Sequence, residues 1–252
     1  MASIERRFLE LANHVLTVSD EDRRAFIEFL PEDKVTTVPT GVDVDYFRPA
    51  ESPHDGHTLV FTGSMDWLPN EDAIIYFSRE ILPLIRHRVP DVTLYVVGRK
   101  PTRKVLELSK TDRAVRVTGA VDDIRPYVHK AAVYVVPLRI GGGTRIKIFE
   151  AMAMGTAVVS TRIGAEGLPV KHGENILLAD EPEDFAERTV ALLTQSAERD
   201  RLGRAARTFV EQSYSWGSVS DVLETVLKRV GSIKKTGATQ TRQPAEKSPS
   251  YI

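Results

Sequence analysis

From residue 58 onward, short β-branched runs alternate with longer amphipathic ones, and no other feature of the 252-residue chain limits its fold as much. "TLVFTG" (58–63), "VTLYVVG" (92–98), "VRVTG" (115–119), "AVYVVP" (132–137), "AVVST" (157–161) and "NILLAD" (175–180) read as strands. Between them "NEDAIIYFSREILPLIRHRV" (70–89), "TRKVLELSK" (102–110), "DDIRPYVHKA" (122–131) and the segment after three glycines read as helices, with two more near 182–195 and 197–212. Strands that are apolar on both faces, with helices between them, belong to a parallel sheet covered on both sides. The expected fold class is α/β, a doubly wound, Rossmann-like parallel sheet. Ligands on such sheets lie beyond the carboxyl ends of the strands, which puts Gly63, Gly98, Gly119 and "PLRIGGG" (137–143) on one rim.

At that rim the chain places Gly141, Gly142, Gly143 and Thr144 directly before a helix, "RIKIFEAMAMG". Glycines let bare backbone approach a ligand, and the first amides of a helix have no helical partner, so both features suit phosphate. On a helical projection Gly143, Lys147 and Glu150 share one arc that Met154 continues, while Ile146, Phe149, Met152 and Ala153 gather opposite it and are expected in the core. Lys147 and Glu150 then lie about 4.5 Å apart along the axis, a spacing suited to a ligand with phosphates at one end and hydroxyls beyond. A nucleoside diphosphate has this order. The competing reading is a glycine loop followed by a solvated ion pair, and position at a strand's carboxyl end favours the ligand. Neither G-x-x-x-x-G-K-[ST] nor G-x-G-x-x-G occurs here, which argues against a kinase or a dehydrogenase.

The flanks differ in pattern. "NHVLTVSDEDRRAFIEFL" (13–30) reads as a strand and a helix with Ser19 and Asp22 spaced as a capping box, and "DKVTTVP" (33–39) as another strand. These elements cannot bury their faces alone. "TGVDVDYFRPAESPHDGH" (40–57) is a breaker-rich connection; within it "DVD" (43–45) and "HDGH" (54–57) read as turns rather than metal sites. "SYSWGSVSDVLETVLKRV" (213–230) is one amphipathic helix anchored by Trp216, and 231–252 is expected to be disordered. His14 and His129 read as structural, and Trp67 at the rim is open to loop packing or to covering a sugar or base.

A formal net charge of -1 gives no global field for nucleic acid, and the absence of cysteine excludes disulfides, thiolate ligands and a cysteine nucleophile. No apolar run reaches the roughly 18 residues of a membrane span. The expected location is cytoplasmic, with a peripheral place at the inner membrane face left open.

The ordered motifs "FTGSMDWLPNEDAI" (61–74), "VTLYVVG" and "VTGAVDDIRPYVHKAAVYVVPLRIGGGTRIKIFEAMAMGTAVVSTRIGAEGL" (117–168) resemble the donor-binding domain of GT-B glycosyltransferases, specifically glycosyltransferase family 4, the group 1 sugar transferases. "VPTGVDVDYFRP" (38–49) is similar to the segment joining the family's two halves, and within the family the chain looks closest to exopolysaccharide-type transferases, including a sugar transferase associated with exosortase systems. The resemblance spans about residues 8–230. It implies a C-terminal GT-B half at 51–212, a remnant of the N-terminal acceptor domain with its linker at 1–50, and a return helix at 213–230. It implies retaining, metal-independent transfer from a nucleotide diphosphate sugar, with no cofactor, to a glycan or lipid-linked acceptor bound by a half supplied elsewhere, for example by a partner subunit. The alternative is a non-catalytic nucleotide-sugar binding subunit or orphan half-transferase. By position, Glu150 matches the family's ribose-binding glutamate, whereas Gly142 stands where the sugar-contacting glutamate would be. Gly63, Ser64, Gly141, Gly142, Gly143, Thr144, Arg145 and Lys147 are left as the diphosphate and sugar contacts, and Gly98, Arg99 and Val121 as the base contacts.

Overall fold

The structure, a computed structural model, describes residues 8–9, 11–50, 54–141 and 145–237. A small N-terminal unit comes first: strand β1 (Val15–Thr17), helix α1 (Asp20–Ile27) and strand β2 (Val35–Thr37), the strands paired in parallel. Ser19 caps α1, its hydroxyl accepting from the Asp22 amide at 3.1 Å and donating to the Asp22 carboxylate at 2.8 Å.

The main domain carries β3 (Thr58–Thr62), α2 (Leu68–Tyr76), a π turn (Phe77–Ile81), α3 (Leu82–Arg88), β4 (Thr93–Val97), α4 (Arg103–Thr111), β5 (Val115–Gly119) and α5 (Arg125–Lys130). There follow β6 (Val133–Val136), α6 (Ile146–Ala153), β7 (Ala157–Ser160), β8 (Leu177–Leu178), α7 (Pro182–Thr194), α8 (Ser196–Ser213) and α9 (Trp216–Gly237). Six parallel strands run in the order β5-β4-β3-β6-β7-β8. The chain thus starts at the centre, winds outward one way, then returns to wind the other way, as in a dinucleotide-binding sheet. Every residue of β3, β6 and β7 is buried. Alternate strand residues feed two cores: Leu59, Phe61 and Val96 meet Phe77, Ile81 and Phe185 on one side, and Val60, Tyr134 and Val158 meet Phe149, Met152 and Ala206 on the other. Proline stands in the first turn of α2, α5 and α7, where its missing N–H costs nothing.

Four details depart from the sequence expectation. The helix expected over 70–89 is two helices joined by the π turn, because Pro83 cannot donate back into the preceding turn. The strand expected over 175–180 shrinks to Leu177–Leu178 at the sheet edge. Helix α9 continues to Gly237, past the boundary at 230, so 231–237 is helical, whereas the rest of the tail lies outside the described residues. Trp216 is largely exposed, yet one face of its ring lies against Gly41, where a Cβ would come within 2.7 Å of it.

The turn between α6 and β7 fits against α8 only because residue 203 has no side chain: a Cβ there would fall inside the van der Waals radius of the Gly155 carbonyl oxygen. Gly203→Ala is expected to lower the unfolding free energy by about 1–3 kcal/mol, the usual cost of overpacking, as read by urea denaturation.

Candidate functional site

Central strands β3 and β6 pair only at Leu59–Val133 and Val60–Tyr134, and beyond that register they diverge. Past the divergence the Tyr134 and Thr62 hydroxyls hydrogen-bond across the gap. Burial raises the Tyr134 pKa further above neutrality, so the phenol stays protonated. A cleft of about 600 Å³ opens at this switch point, lined in part by Gly63, Gly98, Arg99, Val121, Lys147 and Glu150. Its floor is tight: a Cβ on Gly98 would overlap the Gly63 carbonyl oxygen, so these two turns touch backbone to backbone.

Lys147, in the first turn of α6, sends its ammonium to the carboxyl end of β3. It donates to the Thr62 carbonyl at 3.0 Å and to Asn70 Oδ1 at 2.9 Å, and lies 4.1 Å from the centre of the Phe61 ring. Burial lowers its pKa to about 7, the Arg145 charge pushing the same way and Glu150 opposing. Asn70 is 3% exposed, and its Nδ2 donates to the Ser64 carbonyl at 2.9 Å.

Arg145 precedes α6 and is 4% exposed, with Nε and Nη2 lacking any hydrogen-bond partner among the described residues. Its guanidinium lies 5.3 Å from the Trp67 ring, and Nη2 would be 3.1 Å from a Cβ on Gly141. Burial depresses its pKa, Glu166 working against that, but a guanidinium remains charged at neutral pH. A buried cation short of partners is costly, and Nε and Nη2 are free among the described residues to donate to an anion. Glu150, one turn further along α6, also faces the cleft, and burial pushes its carboxyl above the ordinary carboxylate range while Lys147 pulls it down. Two cations and a carboxylate acceptor therefore converge on one opening.

Of the residues singled out by sequence, Gly63, Gly98, Arg99, Val121, Arg145, Lys147 and Glu150 share this cleft, and Gly141 adjoins Arg145. Gly142, Gly143 and Thr144 lie outside the described residues. Ser64 is turned to other work: its hydroxyl donates to Asp66 at 2.6 Å and accepts from Arg99 Nε at 3.1 Å. The Gly63 and Met65 amides are bonded to the Val97 and Arg99 carbonyls. Ile146, expected in the core, is 38% exposed and lines the cleft. Asn70 carries no charge and does not stand out in the sequence as a phosphate contact, yet it anchors the Lys147 ammonium.

The competing motifs are accounted for structurally. Asp43 Oδ1 accepts from the amides of Asp45 and Tyr46, closing a turn at "DVD". His129 Nε2 bonds the Arg48 carbonyl at 2.8 Å and His14 Nε2 the Thr36 hydroxyl at 2.9 Å. Among the described residues no group of three His, Asp or Glu is placed to hold a metal ion, and no helix is long and apolar enough to cross a membrane.

A family profile described as "Glycosyl transferases group 1" matches residues 56–195, just over half of the chain. The phosphatidyl-myo-inositol mannosyltransferase of Mycobacterium tuberculosis is 31% identical over 228 residues, covering 85% of this chain and 59% of the relative. The chain thus spans less than two thirds of that relative's length. Among solved structures, Anabaena Alr3699/HepE in complex with UDP and glucose superposes with a TM-score of 0.69 at 16% identity, over 88% of this chain and 67% of that one. The C-terminal domain of a group 1 glycosyl transferase family protein (LpcC) from Francisella tularensis gives a TM-score of 0.59 at 20% identity, over 70% of this chain and 100% of that one. These likenesses show an α/β, Rossmann-like parallel-sheet fold typical of GT-B glycosyltransferases.

The depressed pKa of Lys147 has a signed consequence for stability. Between about pH 7 and the ordinary lysine value near 10.4, the unfolded chain binds this proton and the folded chain does not. Folding stability contributed by this residue therefore rises with pH across that window. Chemical denaturation at pH 7 and pH 9 should show the gain in the unaltered protein and a smaller one in Lys147→Met.

Proposed function

The chain belongs to the group 1 glycosyl transferases, and we propose that it forms the donor-binding half of such an enzyme, holding a nucleotide diphosphate sugar in the cleft at the switch point. The observation that carries this reading is the buried Arg145 guanidinium, whose Nε and Nη2 have no hydrogen-bond partner among the described residues, next to a Lys147 ammonium whose hydrogen bonds there go to neutral oxygens. A diphosphate supplies the charge both of them lack. Glu150 then accepts from the ribose hydroxyls, and Gly98, Arg99 and Val121 border the base. Gly141, Gly142, Gly143 and Thr144 complete the set of diphosphate and sugar contacts.

In this reading the sugar passes with retention of anomeric configuration, without metal, to a glycan or lipid-linked acceptor held by a second half. That half comes from a longer form of the protein or from a partner subunit, and residues 11–50 and the return helix pack on it. Support for a half-enzyme comes from the share of the mycobacterial relative left uncovered and from the complete overlap with the Francisella C-terminal domain. Support for the donor comes from the UDP and glucose bound by the Anabaena protein, and for a lipid-linked acceptor from the name of the mycobacterial relative. The motif series over 117–168 is the ground for the narrower placement among exopolysaccharide-type transferases, the exosortase-associated one included, working at the cytoplasmic face of a membrane. The second reading, a nucleotide-sugar binding subunit without transferase activity, is favoured by one observation: Gly142 occupies the position of the family's sugar-contacting glutamate.

Labelled nucleotide sugars incubated with the purified chain, with and without candidate partner subunits, separate the two. Binding without transfer under every condition supports the second reading, and partner-dependent transfer supports the first. Glu150→Ala is expected to weaken UDP or GDP binding by about 1.5–3 kcal/mol, the value of a hydrogen bond to a charged group, with an unchanged circular dichroism spectrum. Equal calorimetric affinities for the unaltered and variant proteins would remove Glu150 from the site.

A further inference from the structure

We infer that Asn70 is a positioning residue, holding the Lys147 ammonium at the end of β3 with a neutral acceptor so that the ligand's phosphates provide its countercharge. The inference rests on the donor-binding reading above and adds to it a residue and a proton.

The geometry of Asn70 leaves its amide one orientation. The Ser64 carbonyl can only accept, so Nδ2 must face the loop and Oδ1 the lysine. Space for that amide exists because residue 63 is glycine: a Cβ there would come within 2.6 Å of Asn70 Nδ2. Asn70 is thereby fixed between the loop after β3 and the first turn of α6, two elements that must keep their spacing if a diphosphate is to bridge them.

An ammonium has three N–H groups, and the two with partners here go to a carbonyl and an amide oxygen. The charged groups that act on it from its own element are Arg145, which disfavours the charge, and Glu150, which favours it. From β3 it meets only the Thr62 carbonyl and the Phe61 ring, and from α2 only the Asn70 amide. From β6 the nearest ionisable group is the Tyr134 phenol, neutral because burial holds its proton. Burial lowers the Lys147 pKa to about 7, and a diphosphate beside it would raise it again, returning charge to the ammonium. Binding should therefore take up a proton, and affinity should fall as pH rises above 7. An aspartate at position 70 would change this, because a carboxylate keeps the ammonium charged in the empty site and competes with the phosphates.

The test is calorimetric titration of the full chain with UDP and GDP in buffers of different ionisation enthalpy at pH 7.5 and 8.5, above the titration of a terminal phosphate near 6. The unaltered protein is expected to take up between half and one proton per nucleotide bound. Asn70→Asp should lose the uptake and bind about tenfold more weakly at pH 7.5, with an affinity that no longer depends on pH. Asn70→Ser, which leaves the ammonium a partner short, should also weaken binding about tenfold and serves if the aspartate variant does not fold. A purely structural role for Asn70 would lower the melting temperature and leave the proton uptake intact. Absence of uptake in the unaltered protein, or a folded Asn70 variant that matches it in uptake and affinity, overturns the inference. If Arg145→Ala and Glu150→Ala still weaken binding in that case, the donor reading stands without it. If neither weakens binding, or no nucleotide binds, both fall together.

Discussion

An ammonium held by two neutral oxygens at the end of the first central strand is the interaction on which the site turns. The Thr62 carbonyl and the Asn70 amide orient Lys147 without neutralising it, and Arg145 adds a second buried charge that nothing in the described chain pairs. A protein gains no stability from such an arrangement, since the cost of desolvating two cations exceeds what neutral dipoles return. Its physical sense lies in what is missing. On the donor-binding reading the countercharge comes from an anion from outside, and the dry surroundings make that attraction stronger than it would be in water.

The sheet makes room for this by a limited failure of its own pairing. Strands β3 and β6 stop sharing register after Val60 and Tyr134, and a hydroxyl pair beyond that point joins the two sides without filling the opening between them. The two glycine turns on the floor of the cleft, at Gly63 and Gly98, come close enough that a side chain at residue 98 would force them apart. Strand order, a lapse in register and two bare backbone turns together create the cleft.

Much of this is legible in the sequence, and the reasons differ from element to element. The runs at 58–62, 133–136 and 157–160 announce themselves because every position is apolar or small, which only a strand buried on both faces requires. Lys147 and Glu150 are legible because helical spacing puts them on one arc. Ile146 is not, because periodicity sorts apolar from polar residues and an apolar side chain at a ligand rim looks the same as one in the core. Asn70 is set aside for a related reason: a search for phosphate contacts looks for charge, and a residue that acts by orienting someone else's charge has none. The π turn was signalled by Pro83, but the consequence of a proline within a helix, kink or insertion, depends on packing that the sequence does not display. The loss of charge on Lys147 depends wholly on tertiary burial.

The chain passes between its small N-terminal unit and its large sheet twice, once through Gly41 and Val42 and again through Ser215 and Trp216, and the two passages are laced together. Val42 receives and returns backbone hydrogen bonds with Tyr214 and Trp216, and the indole rests on the glycine beside it. Mechanically this is a seam of two threads. Sliding one unit along the seam would break those bonds and drive the indole into backbone, so the seam fixes the register of the small unit against the sheet.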